Sequence, residues 1–179
     1  METLKSVIRD IPDFPKEGII FKDITPLLSN PVSFKKVIDT LRTRYKDNRI
    51  DQVVGVEARG FVFASALAYA LDCGVVMVRK PGKLPYKTFQ ETYSLEYGED
   101  SVEIHQDAFE KGQNVVIIDD VLATGGTLAA CINLVNKNFE VNLIEVGFLI
   151  ELDFLKGRQK LGNVRSEEHT SELQSHLNL

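Results

Sequence analysis

Residues 115 to 127 read VVIIDDVLATGGT, and this stretch decides the fold. Its first four residues, Val115, Val116, Ile117 and Ile118, are all β-branched. An unbroken run of this kind predicts a strand buried on both faces, as in a parallel sheet covered by helices. Asp119 and Asp120 follow at once, and then a small turn, Ala123-Thr124-Gly125-Gly126-Thr127. Beyond it Leu128, Ala129, Ala130, Ile132, Leu134 and Val135 predict a helix. Ligands of open α/β sheets bind outside the carboxyl ends of the strands. The turn offers free backbone N–H groups at a helix N-terminus, where the dipole favours a phosphate. Gly125 and Gly126 let the backbone approach that phosphate without a Cβ in the way. The hydroxyls of Thr124 and Thr127 add donors.

The acid pair needs its own explanation. Adjacent carboxylates repel, so Asp119 and Asp120 require compensation. A ribose diol offers two O–H donors, and a hydrated Mg²⁺ offers charge. The stretch therefore reads as a holder for a sugar carrying a 5′-phosphate; a solvated acidic turn before an ordinary helix is the plainer alternative. It contains no Gly-Lys-Ser/Thr and no dinucleotide fingerprint.

IIDDVLATGGT resembles the phosphoribosyl-pyrophosphate (PRPP) motif of type I phosphoribosyltransferases. That resemblance implies that Asp119 and Asp120 contact the ribose hydroxyls, with Mg²⁺ carried nearby by PRPP and waters. It implies that Ala123, Thr124, Gly125, Gly126 and Thr127 cradle the 5′-phosphate. No direct protein ligand to the metal follows from it.

A second turn of the same kind comes earlier. Residues 52 to 56, QVVGV, predict a buried strand ending in Glu57-Ala58-Arg59-Gly60-Phe61, with a helix from about Val62 to Leu71. Arg59 can hold phosphate oxygens bidentately, although Glu57 and Arg59 could equally form a surface ion pair. Val75, Val76, Met77 and Val78 predict a third buried strand. Arg79, Lys80 and Lys83 cluster at its end, suited either to a pyrophosphate or to a solvated basic loop. Both stretches, EARGF and RKPGKLP, resemble the adenine-specific branch of the family. The resemblance implies a pyrophosphate site made of Glu57, Ala58, Arg59, Gly60, Arg79, Lys80 and Lys83.

The remaining segments fit around these. Residues 1 to 10 predict a short helix with Leu4, Val7 and Ile8 on one face. DFPKEGIIFKDITPLL, residues 13 to 28, is broken into extended pieces by its prolines. Ile19, Ile20 and Phe21 can form a short strand, and spacing alone favours an irregular cover with an aromatic plug. The stretch resembles the purine pocket of adenine phosphoribosyltransferases. That implies a stacking ring at Phe14, edge reading by the backbones of Ile20 and Lys22, and a base bordered by Arg59, Val121 and Ile150. Pro31 after Ser29 and Asn30 starts a core-packing helix over residues 31 to 47. Residues 86 to 106 alternate as an antiparallel flap, with Tyr93, Leu95 and Tyr97 one way and Ser94 and Glu96 the other. YSLEYG resembles the family's mobile hood, about residues 81 to 106, which implies a catalytic Glu96 over the base. Residues 138 to 150 predict another strand, and DFLKGRQKL, residues 153 to 161, resembles the family's last shared stretch.

The 179 residues suffice for one α/β domain, and 44% hydrophobic residues fit a globular chain. A net charge of −5 argues against wholesale nucleic-acid binding. No apolar run approaches the ~20 residues of a membrane helix. METLKSVIRD lacks a signal-peptide hydrophobic region. Cys73 and Cys131 have no ligand spacing and read as buried free thiols in a reducing cytoplasm. Residues 165 to 176, RSEEHTSELQSH, resemble the translation of a widely used sequencing-library adapter. The domain is therefore expected to span residues 1 to 164, with 165 to 179 a non-native tail.

Taken together, the resemblance implies a single-domain type I phosphoribosyltransferase fold, a mostly parallel sheet with helices on both faces and an antiparallel hood. It implies a purine-salvage homodimer converting adenine and PRPP to AMP and pyrophosphate with Mg²⁺. Alternatives on the same motifs are transfer to xanthine or hypoxanthine, or a PRPP-sensing regulator, which would need a DNA-binding extension.

Overall fold

The computed structural model describes residues 4–94 and 98–168. A 3-10 turn, Leu4–Val7, leads into β1 (Arg9–Pro12) and β2 (Ile20–Asp23), an antiparallel ribbon outside the main sheet. α1 (Thr25–Ser29) and α2 (Pro31–Tyr45) come next, then β3 (Gln52–Val56), α3 (Gly60–Ala70) and β4 (Gly74–Val78). β5 (Thr88–Ser94) and β6 (Glu99–His105) form a second antiparallel pair, the base of the hood. β7 (Asn114–Leu122), α4 (Gly126–Asn138), β8 (Asn142–Glu151) and β9 (Ser166–Glu168) follow.

The main sheet has the order β4-β3-β7-β8-β9, and every neighbouring pair is parallel. β7 lies at its centre, which is why its opening run is apolar throughout. Val115 and Ile117 enter one core with Leu128, Cys131 and Val135 of α4. Val116 and Ile118 enter the other with Leu41 of α2 and Phe63 and Leu67 of α3. Full burial of such side chains is worth ~1.5–3 kcal/mol each. The hood packs on the α4 side, where Val102, Ile104, Phe89 and Tyr93 join the first core.

Local chemistry sets the helix starts. The Asn30 side chain accepts from the backbone N–H of Val32 and of Ser33, both at 3.0 Å, and Pro31 takes a position where no donor is needed. At the far end of α2, Glu145 of β8 is 2% exposed. It accepts from Arg44 at 2.6 and 2.7 Å and from the Tyr45 hydroxyl at 2.7 Å. That cluster fastens α2 to the sheet; burial, then the Glu145 charge, push the Tyr45 hydroxyl upward in pKa.

Four expectations change. Among the described residues the N-terminal helix is a single 3-10 turn, Leu4–Val7, because Arg9–Pro12 pair with β2 instead. α4 continues through Asn138, so the strand expected from residue 138 begins at Asn142. β7 runs on to Leu122, placing Asp119 and Asp120 within the strand rather than after it. β4 is not buried on both faces: Val75 and Met77 are 44% and 46% exposed, because β4 is the sheet edge. The two cysteines are free, Cys131 buried and Cys73 half-buried. No helix among the described residues is long and apolar enough to cross a membrane.

Candidate active site

The carboxyl ends of β3 and β7 are adjacent, and the loops that leave them meet. Gly60 opens α3 directly against the end of β7. A Cβ there would lie 2.9 Å from the Ile118 carbonyl oxygen and 2.9 Å from Asp119 Oδ1. Only glycine permits that approach. The Glu57–Ala58 peptide that precedes it is cis. Arg59 reaches across to the acid pair, its Nε 2.8 Å from Asp120 Oδ2. Its guanidinium carbon also sits 5.0 Å from the centre of the Phe21 ring, a cation–π distance. Arg59 thus joins three segments that are distant in sequence: the β1–β2 ribbon, the β3 loop and the end of β7.

The acid pair is held inside the protein. Asp120 is 4% exposed, and Asp119 Oδ1 accepts from the Asp120 N–H at 2.8 Å. Burial, and next the Asp120 charge, push the Asp119 carboxyl well above the usual carboxylate range. Burial also raises Asp120, against the opposing pull of Arg59. The ion pair with Arg59 lacks hydrogen-bond alignment, so the buried Oδ2 of Asp120 has no hydrogen-bond partner among the described residues. The Arg59 guanidinium compensates the charge on this oxygen, which keeps hydrogen-bonding capacity to spare. It is a place for a ligand hydroxyl or water.

The turn of residues 123 to 127 joins β7 to α4. Gly125 caps α4 with φ +78°, a left-handed conformation that suits glycine, and α4 starts at Gly126. Thr124 is exposed and Ala123 half-buried. Thr127 Oγ1 lies 2.9 Å from the Tyr93 hydroxyl.

The basic loop is more occupied than the sequence implied. The Glu57 carboxylate accepts from the Lys80 N–H at 2.9 Å and from Arg79 Nε and Nη2 at 3.3 and 3.2 Å. The Lys80 N–H, followed after burial by Arg79, holds Glu57 below its ordinary pKa. Glu57 therefore shapes the basic loop. Lys80 Nζ bonds Asp100 and lies 3.2 Å from the Tyr93 hydroxyl. Burial alone would lower its pKa, but these bonds raise it. Lys83 is exposed, and its carbonyl accepts from Arg79 Nη1 at 3.1 Å.

On the base side, Val121 and Ile150 are direct neighbours on β7 and β8. Ile20 and Phe14 are exposed, and the Phe14 and Phe21 rings meet edge to face at 5.2 Å. The Lys22 ammonium bonds Asp10 at 2.6 Å. Glu96 lies outside the described residues, as do Leu95 and Tyr97.

Residues 23–170 match the family model described as phosphoribosyl transferase domain. The adenine phosphoribosyltransferase of Syntrophotalea carbinolica is 60% identical over 161 residues, 90% of this chain and 94% of that relative. The chain belongs to the adenine phosphoribosyltransferase family. The relative from Anaeromyxobacter sp., of the same name, is 52% identical over 176 residues, 98% of this chain and 97% of its own. Among solved structures, the adenine phosphoribosyltransferase of Saccharomyces cerevisiae, complexed with an imino-altritol bisphosphate and adenine, superposes with a TM-score of 0.88 at 46% identity. The match covers 93% of this chain and 96% of that one. That of Trypanosoma brucei, in complex with AMP, pyrophosphate and ribose-5-phosphate, gives 0.84 at 29%, over 92% and 76% of the two chains.

Three residues of the candidate site carry little sign in the sequence. Phe21 was read only as a strand residue, yet it packs against Arg59. Asp100 was not singled out, and nothing local marks it. Gly157, in DFLKGRQKL, lies against the phosphate loop: a Cβ on it would be 2.3 Å from the Ala123 carbonyl oxygen. A lone glycine among polar residues just past a strand was the one available sign.

Proposed function

We infer that the protein is an adenine phosphoribosyltransferase that converts adenine and PRPP to AMP and pyrophosphate in purine salvage. The observation that carries this reading is the meeting of two strand-end loops. Arg59 of the first lies 2.8 Å from Asp120 of the second, with a phosphate-type helix start beyond it. Relatives bearing that name over most of the chain support adenine as the base.

The roles in this reading are as follows. Asp119 and Asp120 hold the ribose hydroxyls, and residues 123 to 127 hold the 5′-phosphate. Arg59, Arg79, Lys80 and Lys83 supply positive charge for the departing pyrophosphate, on the loop that Glu57, Ala58 and Gly60 shape. Ile20, Lys22, Val121 and Ile150 border the base, with Phe14 as its aromatic cover. Purine N9, with its in-plane lone pair free in the N7-H tautomer, attacks C1′ as the C1′–O bond to pyrophosphate breaks. Glu96 receives the N7 proton, directly or through water, which leaves the neutral base of AMP and free pyrophosphate. Catalysis is mainly positioning and charge stabilisation, and the hood keeps water from the sugar cation.

The residues fit Mg²⁺ as an ion carried by the substrate. Asp120 Oδ2, ion-paired to Arg59 at 2.8 Å, suits a metal-bound water equally with a ribose hydroxyl. When bound, the ion neutralises pyrophosphate charge. Homodimer formation belongs to the same reading. Exposed Val62 and Tyr69 on α3, and Val75 and Met77 on β4, supply apolar surface for it. The free thiols accord with a cytoplasmic location.

The test is turnover of a purine panel with PRPP and Mg²⁺. Adenine is expected to be consumed with stoichiometric AMP and pyrophosphate. Preference for hypoxanthine or xanthine, or PRPP binding without turnover, overturns the assignment.

A further inference from the structure

Tyr93 stands where the hood meets both phosphate-side loops. Its hydroxyl is 2.9 Å from Thr127 Oγ1, 3.1 Å from Asp100 Oδ2 and 3.2 Å from Lys80 Nζ. Lys80 in turn bonds Asp100. The ring packs on the start of α4, where a Cβ at Gly126 would be 3.0 Å from ring carbon Cδ2. One side chain therefore touches the phosphate loop, the basic loop and the second hood strand. An aromatic that merely filled space would need the ring alone.

The direction of the hydrogen bonds makes the hydroxyl specific. A phenol carries one proton, an ionised carboxylate only accepts, and an ammonium only donates. With Asp100 and Lys80 charged, Tyr93 donates to Asp100 and accepts from Lys80 and Thr127. A phosphate dianion also only accepts, so at this loop it needs the Thr127 proton. Tyr93 then turns its own proton onto Thr127 Oγ1, while Lys80 keeps Asp100 compensated. The arrangement can switch without leaving any of these half-buried polar groups unpaired.

We propose that Tyr93 is a positioning residue for the 5′-phosphate: its hydroxyl aims the Thr127 hydroxyl at the phosphate, and its ring seats Gly126. This rests on the PRPP-site reading above. The hood base would thereby sense the phosphate directly, 34 residues away in sequence.

Tyr93→Phe removes the hydroxyl and keeps the ring, so the thermal midpoint should hold and serves as the check on folding. Binding of AMP and of adenine is then measured separately by calorimetry. AMP and PRPP should bind about three- to tenfold more weakly, the usual range for one hydrogen bond. Adenine affinity should stay within about twofold. In a Thr127→Val background, Tyr93→Phe should have almost no further effect on AMP, because the two residues act as one unit. AMP binding equal to the parent's, equal weakening of AMP and adenine, or additive effects of the two substitutions each overturn the role of Tyr93. In those cases a parent that turns over adenine leaves the function reading standing. A parent that binds neither AMP nor PRPP defeats both.

Discussion

Gly125 and Gly157 are packed backbone to backbone across the phosphate loop. A Cβ added to Gly125 would lie 2.3 Å from the Gly157 carbonyl oxygen, and the Gly157 Cα lies 3.1 Å from the same point. The floor of the loop is thus another stretch of main chain, arriving after β8. Gly157→Ala would force a methyl against the Ala123 carbonyl oxygen at 2.3 Å. Overpacking of this kind costs ~1–3 kcal/mol. The variant should unfold at lower temperature and show a raised KM for PRPP, with the KM for adenine much less affected. Gly125→Ala should be worse, because it adds strain at φ +78° to the same clash. Thermal unfolding and steady-state kinetics check both.

The acid pair yields the second prediction. Asp119→Asn with Asp120→Asn keeps the shape of the site and removes two charged acceptors. A hydrogen bond to a charged group is worth ~1.5–3 kcal/mol. PRPP should bind at least about tenfold more weakly, while adenine affinity changes little. Unchanged PRPP kinetics would remove the ribose assignment.

The same pair predicts a pH dependence. Asp119 and Asp120 titrate above the ordinary carboxylate range when folded. The folded state then holds more protons than the unfolded one between the ordinary value and the raised values. The contribution of these groups to stability falls as pH rises through that window. PRPP binding has the opposite sign, because ribose hydroxyls need deprotonated acceptors, so affinity should rise with pH across it. The phosphates of PRPP titrate too, near ~6. The double Asn variant should retain only that phosphate component. Calorimetry of parent and variant over a pH series separates them, and identical slopes would sink the assignment.

Most of the fold was legible because β7, β3 and α4 carry unbroken or periodic apolar patterns that leave few alternatives. The phosphate loop and acid pair were legible for a related reason, since strand, charge and glycine turn follow one another within residues 115 to 127. What was hidden depends on long-range pairing. Leu4, Val7 and Ile8 have the apolar spacing of a helix, and the chain leaves that path at Arg9 because β2 is there to pair with Arg9–Pro12. Val75 and Met77 look like core residues, and their exposure follows from the place of β4 at the sheet edge. Phe21, Tyr93, Asp100 and Gly157 matter through partners on other elements, Arg59, Thr127, Lys80 and Ala123, which no local window contains. Lys80 read as a free cation, and its ties to Asp100 and Tyr93 needed the hood folded back on α4.

The tail gives a further prediction. Ser166–Glu168 pair with Val146–Phe148, and Arg158 Nη1 bonds the Ser166 carbonyl oxygen at 2.7 Å. Backbone pairing at an open sheet edge demands no particular side chains, so a foreign segment can occupy it. Ending the chain after Val164 should lower stability by about 1 kcal/mol for the few hydrogen bonds lost. The KM values and kcat should stay within about twofold, since the site lies at the carboxyl ends of β3 and β7. Sequencing the source locus decides the origin of residues 165 to 179: finding RSEEHTSELQSH in the genomic frame would refute the adapter reading.

Glu96 supplies the last prediction. As adenine N9 attacks C1′ the ring gains positive character, which it sheds only by losing a proton. A carboxyl group near N7 can stabilise the productive tautomer or exchange a proton with the base. In YSLEYG the acid that would do so is Glu96, on the segment between β5 and β6. A general acid or base contributes ~10²–10⁴-fold in rate. Glu96→Leu should slow the chemical step by at least ~10-fold, with water carrying part of the duty. Glu96→Gln should retain more activity, because its amide still hydrogen-bonds N7. Single-turnover kinetics is the right measurement, since product release can mask chemistry at steady state. If both variants match the parent in a single turnover, Glu96 has no part in proton transfer, and the hood acts only by excluding water.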